Sequence, residues 1–207
     1  MIKQMLGKKI DGWVHIAFPF LFIRELNPNL LTMVGVLVSC GAAAALALGH
    51  FVAGGLLILA GGFFDLVDGV VARHFKIQTP FGAFLDSTMD RLVDMVVLFG
   101  IVVYYGTAGQ TGIVILAGVV LVGSVMTSYT KARAELLGPQ LRSGFLERGE
   151  RIGLLAVGAL LGLMVPILWL LALGTTITAI QRFANAAREL GALEQSSRGA
   201  SGEPLQP

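Results

Sequence analysis

Four aspartates between Asp65 and Asp90 constrain this chain more than any other feature, because they interrupt sequence that is otherwise apolar. A charged side chain within a membrane helix costs about 3 kcal/mol or more, so such residues are kept where they do something. Their spacing is helical. Residues three or four apart share a helix face, which puts Asp65, Asp68, Gly69 and Ala72 on one stripe and Gly82, Asp86 and Asp90 on another. The segment between the stripes, His74 to Phe81, is short and polar, and predicts two antiparallel neighbouring helices. Two carboxylates from each then converge. Hard oxygen ligands of this kind suit Mg²⁺, Mn²⁺ or Ca²⁺ rather than zinc. Gly69, Ala72 and Gly82 let a backbone approach closely, either helix to helix or helix to ligand. A purely structural role is the competing reading, but Arg73 and Arg91 alone cannot neutralise four carboxylates.

Composition says what kind of chain carries this cluster. Of 207 residues, 55% are hydrophobic and only 14% charged, and the mean hydropathy is +0.79. The expectation is an all-α, polytopic membrane protein of one domain. Residues 1–26 read as an amphipathic segment lying at the membrane surface, since the apolar run from Trp13 to Ile23 is short for a span and holds Pro19. No signal-peptide pattern follows its basic start. Residues 27–190 hold six spans, at about Leu30–Leu48, Phe51–Arg73, Gly82–Tyr105, Gly112–Ala132, Ile152–Met164 and Ile167–Arg182, with the last pair split near Pro166. Asn29 reads as the N-cap of the first. Residues 191–207 read as a disordered polar tail. The single cysteine, Cys40, reads as a buried inert thiol. No P-loop, zinc pattern or Ser/His/Asp arrangement occurs, and no nucleic-acid partner is expected.

Six spans put Lys3, Lys8, Lys9, Arg24, Arg73, Lys76, Lys131, Arg133, Arg148, Arg151 and Arg182 at one end. The opposite turns, near His50, Gly106–Thr111 and Pro166, hold no Lys or Arg. By the positive-inside rule both termini and the acidic cluster are cytoplasmic. Cations also gather between the fourth and fifth spans, in Tyr129-Thr130-Lys131-Ala132-Arg133-Ala134-Glu135 and in Gly144-Phe145-Leu146-Glu147-Arg148-Gly149-Glu150-Arg151. They are either charges snorkelling to the interface or the lining of an anion pocket beside the metal site. Arg133 and Arg148 either assist there or pair with Glu135 and Glu150. Asp94, one turn beyond Asp90, reads as a support or a partner of Arg91.

The pattern D-x-x-D-G-x-x-A-R, eight residues, then G-x-x-x-D-x-x-x-D resembles the signature of the CDP-alcohol phosphotransferase family, membrane enzymes that make phospholipids. Asp65, Asp68, Gly69, Ala72, Arg73, Gly82, Asp86 and Asp90 fill every fixed position. The resemblance implies a CDP-lipid donor such as CDP-diacylglycerol, release of CMP, two Mg²⁺ or Mn²⁺ ions on Asp65, Asp68, Asp86 and Asp90, Asp90 as general base, and a homodimer in the plasma membrane. It further implies a CDP site formed by Asn29, Leu30, Leu31 and Thr32 with Gly69, Arg73 and Thr79. The second cluster is similar to the phosphatidylinositol-phosphate and archaetidylinositol-phosphate synthases of that family. That likeness implies inositol phosphate as acceptor, its phosphate held by Lys131, Arg151 and Arg182. The alternatives are phosphatidylglycerophosphate synthesis or another activity of the family, a membrane prenyltransferase, which carries two separated Asp motifs on a larger bundle, and a divalent-cation transporter. Transport predicts polar groups through the bilayer, and the far ends of these helices are apolar.

Overall fold

The computed structural model describes residue 18, residues 26–139, residue 141 and residues 144–201, and every regular element among them is an α-helix. In order these are α1 (Pro28–Ala47), α2 (Phe51–His74), α3 (Pro80–Thr107), α4 (Thr111–Leu136), α5 (Arg148–Leu160) and α6 (Met164–Ser201). Four are long and apolar enough to cross a membrane: α1, α2, α4 and the Met164–Leu193 part of α6. α3 has 28 residues but carries Asp86, Asp90, Arg91 and Asp94 between its start and its middle. α5 has 13 residues, about 20 Å at 1.5 Å per residue. The amphipathic segment predicted for residues 1–26 lies outside the described residues, apart from Phe18 and Leu26.

Local chemistry accounts for the boundaries. Asn27, not Asn29, caps α1: its side chain accepts from Asn29 N at 3.0 Å, and Pro28 takes the first helical position. Proline is at ease there because that N–H has no partner within the helix. Thr79 and Pro80 repeat the device at α3, where Thr79 Oγ1 accepts from Gly82 N at 3.0 Å. The turn predicted near Pro166 falls earlier, at Leu161–Leu163, where Gly162 takes φ +69°. Pro166 sits in the first turn of α6, where a missing N–H is tolerated. α6 itself runs through Ser201 rather than giving way to an irregular tail at Gly191. Ala192, Leu193, Glu194 and Gln195 are good helix formers, and extending an existing helix avoids the cost of a new nucleus.

The helices close into a ring in the order α1, α2, α5, α6, α4, α3, each packed on the next and α3 back on α1. Inside it, Leu46, Leu98, Ile101, Leu155, Leu168 and Leu171 are fully buried. Lipid is as apolar as these side chains, so close packing rather than exclusion from water selects this arrangement. The outer surface is accordingly apolar, with Leu37, Phe99 and Leu173 exposed. Cys40 is exposed there too, correcting the buried reading: it lies one position off the inward stripe of Ser39, Ala42, Ala43 and Leu46.

One seam depends on the absence of a side chain. A Cβ at Gly100 of α3 would run into the Ala43 carbonyl of α1, with the Ala43 Cα 3.0 Å away. Backbone cannot yield as a side-chain tip can. Gly100→Val is expected to lower the melting temperature of the detergent-solubilised protein by an amount matching about 3 kcal/mol, the upper end for overpacking. Gly118→Val, at an open position with nothing within 4 Å, is expected to leave it unchanged.

Candidate active site

The two motif helices are not tightly packed neighbours. α1 packs against both α2 and α3, and the space left between their polar ends is a cavity of about 510 Å³. Gly69, Ala72 and Gly82 all line it, so the small residues of the motif face a cavity rather than a helix seam. The acidic side chains reach across the gap. Carboxylate oxygens of Asp65 on α2 and of Asp86 and Asp90 on α3 lie within 4.8 Å of one another. Three carboxylates this close repel unless a cation joins them, and an all-oxygen set fits Mg²⁺ or Mn²⁺.

Asp68 stands outside that group in this structure. It is buried, and its Oδ2 accepts a hydrogen bond from Thr32 Oγ1. Thr32 also lies 3.0 Å from the Pro28 carbonyl. With Asp68 and Asp86 on its wall, the cavity joins the acidic cluster to Asn29, Thr32, Arg73 and Thr79. Capping by Asn27 frees the Asn29 side chain, whose Oδ1 would be 3.3 Å from a Cβ on Gly82. Leu30 and Leu31 do not line the cavity. Leu30 is exposed, and Leu31 packs with Leu26 on Val67, Val70 and Val71, because a helix points neighbouring residues to different faces. Gln78 and Ile77 line the cavity without having been anticipated; the polar loop offered no periodicity to read them by.

A second cavity, of about 390 Å³, runs from the cluster into the apolar part of the bundle. Asp65, Asp90 and Arg148 mark its polar end, and Val36, Ile58, Val93 and Val97 line the rest.

A third, of about 300 Å³, lies on the other side of α3. Lys131, Arg151 and Arg182 meet there, joined by Arg91 and Arg148 and faced by Asp94, Glu135 and Glu147. Lys131 is partly exposed, 3.9 Å from Glu135. Arg182 is buried and donates from Nη1 to the Thr127 carbonyl at 2.8 Å. Arg151 is buried, with Nη2 2.7 Å from Asp94 Oδ2 and, among the described residues, no hydrogen-bond partner for its Nε.

Two expected pairings are replaced. Asp94 does not pair with Arg91, which donates to the Ser87 carbonyl of its own helix. It takes Arg151, and at 3.3 Å from Oδ1 the Nε of Arg148. Nor does Arg148 pair with Glu150, whose side chain turns back to cap α5 by accepting from Glu147 N at 2.8 Å. Arg148 instead enters the acidic cluster, with Nη1 2.9 Å from Asp65 Oδ2 and 2.8 Å from Asp90 Oδ1. It lies 83 residues from Asp65, a separation beyond any local pattern. Asp94 did carry a signal, the i, i+4 stripe of Asp86, Asp90 and Asp94.

Comparison with known proteins identifies the family. The family model described as CDP-alcohol phosphatidyltransferase matches residues 25–186. The archaetidylinositol phosphate synthase of Methanothermobacter thermautotrophicus is 42% identical over 141 residues, 68% of this chain and 69% of that protein. The crystal structure of Mycobacterium tuberculosis phosphatidylinositol phosphate synthase with CDP-DAG bound superposes with a TM-score of 0.73 at 30% identity, covering 88% of this chain and 94% of that one. The same enzyme in complex with manganese and citrate gives 0.74 at 30% identity, over 87% and 88%.

Proposed function

This chain belongs to the CDP-alcohol phosphatidyltransferase family, and from that premise we propose that it transfers a phosphatidyl or related group from a CDP-lipid to a hydroxyl of inositol phosphate, releasing CMP. One observation carries the choice of acceptor: a pocket with Lys131, Arg151 and Arg182 borders the acidic cluster, with Asp90 and Arg148 on the wall of the cluster and of the pocket alike. An anionic acceptor held by those cations brings its hydroxyl beside Asp90. The first cavity takes the cytidine diphosphate, with Asn29, Thr32, Gly69, Arg73 and Thr79 on its wall, and Arg73 supplies a cation to the phosphates. The apolar second cavity takes lipid tail.

Asp65, Asp86 and Asp90 would hold the metal, with Asp68 completing the set for a second ion. Bound there, Mg²⁺ or Mn²⁺ neutralises the pyrophosphate and polarises the phosphorus under attack. Asp90 accepts the proton of the acceptor hydroxyl. The acceptor oxygen then bonds to the lipid-bearing phosphorus, the phosphoanhydride bond to CMP breaks, and CMP carries away that electron pair.

All six helices belong to the membrane domain in this reading, α5 reaching from the acidic cluster to the turn at Gly162. The turns at Leu48–His50, Ala108–Gln110 and Leu161–Leu163 hold no Lys or Arg, while Arg73, Lys131, Arg133 and Arg148 sit at the other end. That end faces the cytoplasm, across the plasma membrane. A homodimer belongs to the same reading, tested by the mass of the detergent-solubilised particle.

The test of function is CMP release by purified protein with Mg²⁺ and CDP-diacylglycerol, offering inositol phosphate, free inositol or glycerol-3-phosphate. Turnover with inositol phosphate alone is expected. Turnover with glycerol-3-phosphate instead would keep the donor chemistry and overturn the acceptor, making the protein a phosphatidylglycerophosphate synthase. Lys131→Ala is expected to raise the acceptor KM about tenfold, the order of one charge-assisted phosphate contact, with the CDP-lipid KM unchanged. Its exposed pairing with Glu135 predicts under about 0.5 kcal/mol of stability lost.

A further inference from the structure

We propose that Arg148 is a positioning residue that couples the metal site to the acceptor pocket: its guanidinium holds the metal carboxylates together without metal, and passes to the acceptor pocket when a divalent ion takes them. The pocket's use for an anionic acceptor rests on the function proposed above; the competition with metal does not.

The geometry that points to this is a single side chain shared between two sites. Arg148 Nη1 lies between Asp65 Oδ2 and Asp90 Oδ1, at 2.9 and 2.8 Å. Those two carboxylates, with Asp86, form the group whose oxygens lie within 4.8 Å of one another. The guanidinium donates to Asp65 Oδ2 and sets its charge beside Asp90 Oδ1, which accepts no hydrogen bond among the described residues, so a divalent ion on those oxygens competes with it for the Asp65 oxygen and for the place next to Asp90. Both cannot hold them at full strength, and two cations side by side repel.

The Nε side of the same guanidinium faces the other way, 3.3 Å from Asp94 Oδ1. Asp94 is already committed to Arg151 through Oδ2. An Arg148 expelled from the cluster therefore keeps one anchor, at Asp94, and that anchor lies on the wall of the pocket holding Lys131, Arg151 and Arg182. Rotation about the distal torsions is within reach of a side chain that is 26% exposed. Arg148 already stands on that wall, and turning away from the cluster brings its charge closer to where the acceptor phosphate binds. Metal binding thus strengthens acceptor binding, and by reciprocity an anion in the pocket draws Arg148 away and strengthens metal binding. The two sites therefore load cooperatively, each ligand strengthening the other.

The test reads metal binding directly. Mn²⁺ would be titrated into detergent-solubilised wild type, Arg148→Gln and Arg148→Lys, with free ion followed by electron paramagnetic resonance. Arg148→Gln is expected to bind Mn²⁺ about tenfold more tightly. Arg148→Lys, which keeps the charge, is expected to stay within about threefold of wild type and guards against a folding artefact. Equal or weaker binding by Arg148→Gln would overturn the proposal, because a purely structural arginine leaves a looser metal site when removed. Kinetics at saturating metal read the second half: the acceptor KM of Arg148→Gln should rise about tenfold while the CDP-lipid KM holds. Tighter Mn²⁺ with an unchanged acceptor KM would overturn the transfer to the acceptor pocket. Should no acceptor yield CMP, the function proposed above fails, and the Mn²⁺ comparison still decides the competition.

Discussion

Asp90→Asn is expected to lower the rate of CMP release at saturating substrates by about a thousandfold or more. Two losses combine. On the proposed mechanism the amide oxygen is far too weak a base to take the acceptor's proton, which removes general-base assistance worth about 10²–10⁴. It also replaces an anionic ligand with a neutral one in a cluster that includes only Asp65 and Asp86 besides. The substitution is nearly isosteric, and Arg148 Nη1, which loses its ion pair with Asp90, keeps its hydrogen bond to Asp65 Oδ2. The fold is therefore expected to persist, checked by an unchanged elution volume in detergent and a melting temperature near wild type. A rate within tenfold of wild type, with the fold intact, would remove Asp90 from the chemistry. Binding of CDP-lipid should fall less than the rate, since the cavity wall of Asn29, Thr32, Arg73 and Thr79 is untouched.

Asp94→Ala is expected to give the largest loss of stability among single changes in the polar half of the bundle, about 3 kcal/mol or more. Arg151 is 3% exposed and has its 2.7 Å contact with Asp94 as its ion pair. Removing one partner of a buried pair leaves the other charge without its ion pair, which typically costs 3–5 kcal/mol. Arg148 loses a contact at the same time, though it retains Asp65 and Asp90. Thermal unfolding in detergent would read the difference. Arg91→Ala is the contrasting control, because among the described residues Arg91 bonds to a carbonyl one turn back on its own helix and to no carboxylate, and a change below about 0.5 kcal/mol is expected. Comparable losses for the two variants would show that Asp94 contributes no more than a surface residue. Replacing Asp94 and Arg151 together by Leu and Met should recover part of the loss, since a buried pair exchanged for apolar side chains is often close to neutral.

Much of this architecture was legible before any coordinates. Apolar runs of span length, broken by Gly49-His50, by Gly106–Thr111 and by the polar loop before Pro80, placed α1 to α4 to within about a turn, because hydrogen bonding inside lipid leaves a helix few alternatives. The break between α5 and α6 was harder. From Ile152 to Leu173 the sequence is apolar almost throughout, and proline looked like the stop; Gly162, free to take a positive φ, made the turn instead. The i, i+4 stripe singled out Asp65, Asp86 and Asp90 correctly as residues that meet, since helical phase alone decides which face they share.

The chain by itself determined the helices, the stripe of acids and the cluster of cations, all of which depend on residues within a turn or two of each other. Only the tertiary structure decided what those groups do to one another. α1 inserts beside both motif helices, so the space between them is a cavity rather than a seam. Asp68 turns to Thr32, 36 residues away, and Arg148 crosses 83 residues to Asp65. Local spacing says nothing about such partners, because a buried charge takes whichever counter-charge the packing of distant helices brings within 3 Å, and that packing is set by small residues such as Gly100 that carry no charge at all.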